Sequence, residues 1–218
     1  MASRVTKTAT VVGNEFNEGN SNFTRVGNPV ISDDSILSGM VVNNNYITKD
    51  ISFTNMNTFE ISCGFTANTT STGRHKTVWH LWDGGTSNAL QFWLNNGGDT
   101  TYQLIYPTSN TEVGSLTFSS IPTNTKHTAI FSYDGTTISV YIDNVLKSSA
   151  SISKVYLQKQ YTLTIGTCSL DNHAKYFAGT IDLKDFSIKV NGNVIFTPAI
   201  NKASISNYQI TASEFIEI

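Results

Sequence analysis

"YFAGTIDLKDFSIKVNGNVIF", running from Tyr176 to Phe196, contains a change of parity. Ile181 and Leu183 alternate with polar neighbours, as one face of a half-buried strand does. Phe186, Ile188 and Val190 alternate too, but on the opposite parity. Side chains on a strand have period two, so uninterrupted pairing would turn one set into water. One extra residue between Lys184 and Asp185 resolves the conflict. A β-bulge leaves that residue unpaired and returns the next side chain to its original face. Two short strands separated by a kink would also do so. Both readings describe a curved all-β chain, because bulges bend strands where sheets curve or where a strand changes sheets.

Working outward, short alternating segments follow one another between Gly, Asn, Asp and Pro. "FEISCGF" puts Phe59, Ile61, Cys63 and Phe65 on one face, with Glu60 and Ser62 on the other. "TVWHLW", "ALQFWL" and "TYQLIY" are strands separated by "DGGTSN" and "NNGGD". "HTAIFSYDGTTISVYIDNVL" reads as a hairpin turning at Asp134-Gly135, with a second turn at Asp143-Asn144. The nearest helical pattern, "SISKVYLQKQ", is weak. Many short strands with regular turns predict a two-sheet antiparallel sandwich or a barrel. The expected core is Phe59, Ile61, Phe65, Leu90, Phe92, Phe131, Ile138, Val140, Leu163, Ile165, Ile181, Phe186 and Ile188.

Composition narrows the function. The 218 residues suffice for one large β domain, and only 14% are charged. Asn, Ser, Thr and Gly supply the polarity instead, a surface suited to sugars or other proteins. A net charge of −2 without any basic run lacks the footprint that nucleic acid requires. No apolar stretch approaches the ~20 residues of a membrane helix. "MASRVTKTATVVGNEF" has no apolar core of the signal-peptide kind, so export by that route is not expected, whereas release by lysis is compatible. Cys63 reads as a small buried hydrophobe and Cys168 as lying near a loop, both reduced, as suits a protein made in cytoplasm. The triplets Asn22-Phe23-Thr24 and Asn68-Thr69-Thr70 are chance matches to a glycosylation signal in an Asn/Thr-rich chain.

Three stretches together resemble the laminin-G-like, concanavalin-A-like jelly roll. "FTRVGNPVISDDSILSGMVVNNNYITKDISF" resembles the opening of such domains in bacteriophage structural proteins, with its G-x-P-x-I-x-D-D phrase. The hairpin with "YDG" and "YIDN" resembles the family's central one. "LTIGTCSLDNHAKYFAGTIDLKDFSI" resembles its ending, in which a strand leaves one sheet region and completes the sandwich. The resemblance covers roughly residues 22 to 198 and implies a two-sheet jelly-roll sandwich. It divides the chain into an N-terminal arm (1–20), the jelly-roll domain (21–200) and a C-terminal arm or closing strand (201–218).

The fold hosts lectins, glycosidases and adhesion modules alike, so residues must discriminate. The Glu-x-Asp-x-x-Glu pattern of its glucanase branch is missing, and Glu60 is alone on its strand. No nucleophile elbow, zinc motif or phosphate loop occurs, and His75, His80, His127 and His173 are scattered. A sugar site needs an aromatic platform and directed polar groups. Parity puts Val78, His80 and Trp82 on one face and Trp79 and Leu81 on the other, with Gln91 and Trp93 opposite the core set Leu90, Phe92 and Leu94. The candidate glycan residues are Trp82, Asp83, Asn88, Gln91, Trp93, Tyr106, Asp171 and Asn172; alternatively these tryptophans pack under loops or against a subunit. No cofactor is expected. Calcium would call on Asp83, Asp99 and Asp171, which read rather as isolated turn residues.

The expected function is that of a non-catalytic virion protein, made in the host cytoplasm, that decorates a head, tips a head fibre or serves as a tail adhesin. Its partners would be other virion proteins and cell-surface glycans, with no nucleic acid and no membrane. A bacterial surface lectin and an endo-glycosidase are the alternatives. The β-prone arms "VTKTATVV" and "YQITASEFIEI", the latter alternating Tyr208, Ile210, Phe215 and Ile218, either pair with each other or anchor the chain in a homo-oligomer or particle. If the N-terminal arm is the anchor, loss of residues 1 to 16 leaves a folded domain that no longer assembles.

Overall fold

The computed structural model describes residues 4–11, 22–32, 34–40, 45–68, 76–84, 89–94, 102–108, 113–119, 121–153, 155, 157, 160–168, 176–199 and 208–215. Two compact units result, Asn22–Pro198 and a smaller one built from Met1–Ser21 with Ala199–Ile218. In the smaller unit β1 (Arg4–Val11) pairs antiparallel with β17 (Tyr208–Phe215). Among the described residues none is helical.

The larger unit is a sandwich of two antiparallel sheets. The seven-stranded sheet runs β10 (Val113–Phe118), β9 (Tyr102–Pro107), β8 (Ala89–Leu94), β7 (Lys76–Trp82), β14 (Gln160–Ile165), β5 (Tyr46–Ser52) and β2 (Thr24–Val26). The eight-stranded sheet runs β13 (Val145–Ser151), β12 (Thr137–Ile142), β11 (Lys126–Tyr133), β6 (Phe59–Ala67), β15 (Gly179–Val190), β4 (Ile36–Ser38) and β3 (Val30–Ile31), with β16 (Asn193–Phe196) also on β15. This is the jelly-roll-like all-β sandwich that the alternation and the resemblance imply.

Every residue of the expected core is buried. Aromatic rings join the sheets: Phe92 of β8 lies 4.7 Å from Phe131 of β11 and 5.3 Å from Phe65 of β6, and Trp79 lies 5.2 Å from Phe131. Edge-to-face contacts such as Trp79–Phe131 add to the area these rings bury. Cys63 is buried in the same layer, where loss of water pushes its thiol pKa well up, outweighing a favourable contact with the Trp79 indole. It is a free thiol, as is Cys168, which lies on the other sheet's side.

The change of parity is a bulge, and larger than one residue. Asp182 pairs with Gly64 and Ser187 with Ser62, so Leu183 to Phe186 stand opposite Cys63 alone. Three extra residues reverse parity just as one does, and both Leu183 and Phe186 are buried. β15 does not change sheets, contrary to the expectation for the ending; it pairs with β6 on both sides of the bulge. The protruding loop is bound at its base. Ser62 Oγ donates to the Asp185 carbonyl at 3.1 Å, and the Leu183 N–H donates to the Ser35 carbonyl at 3.0 Å. A Cβ on Gly64 would come within 2.7 Å of an Asp185 carboxylate oxygen, so the bulge folds over a residue that leaves it room.

The turns match their residues. Asp134 Oδ1 accepts N–H groups from Thr136 and Thr137 at 2.9 and 2.8 Å, which close the hairpin ahead of the return strand. Asp143 and Asn144 both adopt positive φ, 51° and 64°, the twist that a two-residue hairpin needs. Asp143 also accepts from the Thr128 N–H at 2.9 Å and contacts His127 Nδ1 at 2.7 Å. Burial alone would raise its pKa, but these bonds more than offset that and hold the carboxyl below its ordinary value.

Candidate functional site

Alternation sorts the seven-stranded sheet into a face toward the core (Trp79, Leu81, Leu90, Phe92, Leu104, Leu163) and an outward one. β7 departs from simple alternation at its start. Thr77 stands opposite Trp93 and Trp79 opposite Phe92, which makes Val78 a one-residue bulge. Val78 therefore does not continue the His80–Trp82 row; its carbonyl accepts the Gly166 N–H at 2.8 Å. Across the outward face one row reads Thr117, Gln103, Trp93 and Thr77, and the next Ile105, Gln91, His80 and Thr164.

Trp93 is half-buried, and its indole N–H donates to Gln103 Oε1 at 2.8 Å. Gln103 Nε2 in turn donates to Thr117 Oγ1 at 3.3 Å. This directed chain across three strands fixes the amide orientation and holds the indole in one pose. Trp82, half-buried as well, shares the outward face and stands opposite Ala89 and Thr162. The positions of Trp82 and Trp93 are about 13 Å apart along β8, with Gln91 between them. Asp83, half-buried, follows Trp82 directly, and its charge adds to burial in pushing the Tyr161 phenol pKa well up.

Between the tryptophans the face is covered by its own chain. After β14 the backbone turns at Gly166 (φ 97°), and Thr164 Oγ1 donates to the Thr167 carbonyl at 2.9 Å. Cys168 then donates its thiol proton to Gln91 Oε1 at 3.8 Å and lies 3.7 Å from His80 Nδ1. Gln91 is accordingly buried, though it faces away from the core. Alternation placed Gln91 and His80 on this face, but the thiol above them comes from a chain segment 88 residues beyond His80. Gln103 and Thr117, which orient Trp93, likewise emerge only once β8, β9 and β10 are paired.

Tyr106 does not belong to this patch. It continues the core parity of Tyr102 and Leu104, is 5% exposed, and stands opposite Gly114. A Cβ on Gly114 would meet its ring at 2.6 Å, so the glycine makes the space that the ring fills. Burial raises its phenol pKa. Asn88, Asp171 and Asn172 lie outside the described residues, as does Asp99. Among the described residues no three His, Cys, Asp or Glu side chains cluster as metal ligands.

The carboxylates of the other sheet are held by lysines. Glu60 Oε1 accepts from Lys189 Nζ at 2.6 Å. Asp182 and Asp185 both reach Lys126 Nζ, at 2.6 and 2.8 Å.

The Laminin_G_3 family model, described as the concanavalin A-like lectin/glucanases superfamily, matches residues 42–189. The receptor-binding domain of botulinum neurotoxin mosaic serotype C/D superposes with a TM-score of 0.60 at 15% identity, over 81% of this chain and 44% of the toxin chain. The binding domain of botulinum neurotoxin DC, in complex with rat synaptotagmin II, gives 0.57 at 11% over 87% of this chain and 49% of that one. The CBM40 domain of Ruminococcus gnavus IT-sialidase, bound to α2,3-sialyllactose, gives 0.47 at 11%, over 65% and 79%. The chain spans less than half the length of the toxin chains, and at these identities the likeness is one of fold. No curated protein sequence matches it. The family match covers more than half of the 218 residues and falls within the sandwich, and the chain belongs to the concanavalin A-like lectin/glucanases superfamily.

Proposed function

We propose that this chain is a non-catalytic attachment protein of a bacteriophage particle, whose carbohydrate-binding-like domain takes host-surface or mucus glycans on the outward face of the seven-stranded sheet. The observation that carries the reading is the Trp93–Gln103–Thr117 chain, an indole oriented by neutral amide and hydroxyl groups on a sheet face. A sugar's apolar face stacks on such a ring while its hydroxyls exchange hydrogen bonds with amides and hydroxyls. Trp82 shares that face about 13 Å away along β8, and Gln91 between the two tryptophans is buried beneath Cys168. The lysine-bound Glu60, Asp182 and Asp185 support binding rather than hydrolysis. The particle context rests on the three phrases resembling phage structural proteins and on the low-charge surface; head and tail positions are both compatible with it.

One stacked ring contributes about 1 kcal/mol, so a single site is weak and is useful in many copies. The test is a glycan array probed with the chain displayed on beads, alongside Trp93→Ala. Hits lost in the variant are expected; an array without hits would leave the domain a purely structural role. Mass spectrometry of purified particles checks the virion assignment, and absence from particles would overturn it.

A further inference from the structure

The hydrogen bonds at Trp93 have a direction. An indole N–H only donates, so Gln103 Oε1 receives it and the amide nitrogen is turned the other way, where Nε2 donates to Thr117 Oγ1 at 3.3 Å. The chain therefore runs from β8 through β9 to β10 and ends on a hydroxyl that has already accepted. Thr117 is exposed, and neither its own proton nor the second Gln103 amide hydrogen has a partner among the described residues. Two donors, their heavy atoms 3.3 Å apart, thus stand on adjacent strands beside a half-buried ring. Whatever meets them must bring acceptors, on two neighbouring oxygens.

Charge narrows the ligand further. β8, β9 and β10 hold no Asp, Glu, Lys or Arg along their whole lengths. Elsewhere in the sheet, Asp50 shares the row of Trp82 and Thr162, Asp83 follows Trp82, and Lys76 stands opposite Leu94, one rung beyond Trp93. A carboxylate or sulfate laid on three charge-free strands loses water without gaining a cation, and the π face of an indole is itself negative. A neutral hydroxyl loses less and recovers it from the two donors. We infer that the ligand of this site, taking the glycan reading as its basis, is an uncharged saccharide. One ring lies on Trp93 while two neighbouring hydroxyl oxygens accept from Gln103 Nε2 and the Thr117 hydroxyl. Thr117 is then a specificity residue, because it supplies the donor on which the directed chain ends. Acidic sugars are rejected because nothing along β8–β10 offsets their charge.

The experiment is a glycan array carrying neutral oligosaccharides beside their sialylated, uronate and sulfated counterparts. It is probed with the full chain displayed on beads and with its Trp93→Ala, Thr117→Val, Thr117→Ser, Thr117→Lys and Lys76→Ala variants. Hits on neutral glycans that weaken in Trp93→Ala are expected. Thr117→Val keeps the shape and deletes the donor, so it should weaken them about fivefold, whereas Thr117→Ser should retain them. Lys76→Ala should leave them unchanged, and Thr117→Lys, which sets a cation at the end of the chain, should recruit the acidic counterparts. An array without hits removes the glycan reading and this inference with it, as do hits indifferent to Trp93→Ala. Hits that depend on Trp93 but fall chiefly on acidic glycans, vanish in Lys76→Ala or ignore Thr117→Val keep the glycan reading and overturn the inference.

Discussion

The two sheets share a core, yet their outward faces use opposite chemistry. The eight-stranded sheet carries ion pairs: Lys189 on Glu60, Lys126 on Asp182 and Asp185, and Lys184 on Asp34. The seven-stranded sheet carries neutral groups in directed chains across β8–β10, Trp93–Gln103–Thr117 and Cys168–Gln91, while farther along it Thr162 Oγ1 donates to the Asp50 carboxylate at 3.0 Å. Exposed ion pairs contribute little to stability and are screened by salt, so the first face serves mainly as a solvated exterior. On the second face, orientation is held by hydrogen bonds that salt does not screen, and a ligand bringing its own hydroxyls could join them. The difference leaves one face a boundary with water and the other the side on which the proposed glycan site lies.

The largest expected effect removes what both faces rest on. Phe92 lies 4.7 Å from Phe131, 5.3 Å from Phe65 and 5.6 Å from Tyr102, so Phe92→Ala should cost about 3–5 kcal/mol in urea unfolding and loosen both faces together. Loss of structure in one sheet alone would show that the sheets are less coupled than their shared core implies. Next comes Trp93→Ala, which should lower glycan binding about fivefold while changing stability by under about 1 kcal/mol. Lys126→Ala and Glu60→Ala should leave binding unaltered; if they reduce it equally, the functional contrast between faces disappears.

A smaller effect concerns the core beneath the seven-stranded sheet. The Tyr102 hydroxyl is buried without a hydrogen-bond partner among the described residues, and burial pushes its pKa up to about 12. Tyr102→Phe should therefore raise stability by about 1 kcal/mol. The sign with pH follows from a raised folded pKa. The tyrosine's contribution is intact below the unfolded value near 10 and is lost as pH climbs toward 12. The phenylalanine variant should show a flatter alkaline limb. The smallest effect is on the charged side. The depressed pKa of Asp143 gives stability present above the ordinary carboxylate value of about 3.9 and lost as pH falls through the lower folded value. Its side chain is 51% exposed, so Asp143→Asn should remove under about 1 kcal/mol and part of the acid slope.

Local alternation made the core legible, from Phe59, Ile61 and Phe65 through Phe186 and Ile188, because which face a residue takes depends on its near neighbours. The bulge was legible as an odd insertion but not as three residues, since period two counts only odd against even. Trp82, Gln91 and Trp93 were placed on one face by the same rule. Tyr106 was misassigned to them because its aromatic ring outweighed its parity, and Gly114, the space it fills, lies across a loop. The Cys168 cover over Gln91 and His80 had no local signal. It depends on where the chain goes after Gly166, which is decided by packing across the sheet.

The β6–β15 ladder also sets a clock. Ser62 on β6 and Asp185 on β15 meet across 123 residues of chain. At about 5–20 residues per second, a ribosome needs roughly 6–25 s to deliver the second strand after the first. During that interval β6, with Phe59, Ile61 and Phe65 on one side, has β11 as its earlier-arriving neighbour and an open edge where β15 will dock. An open apolar edge is the template on which nascent strands pair wrongly, so this protein's yield should depend on translation speed and temperature more than its final stability would suggest.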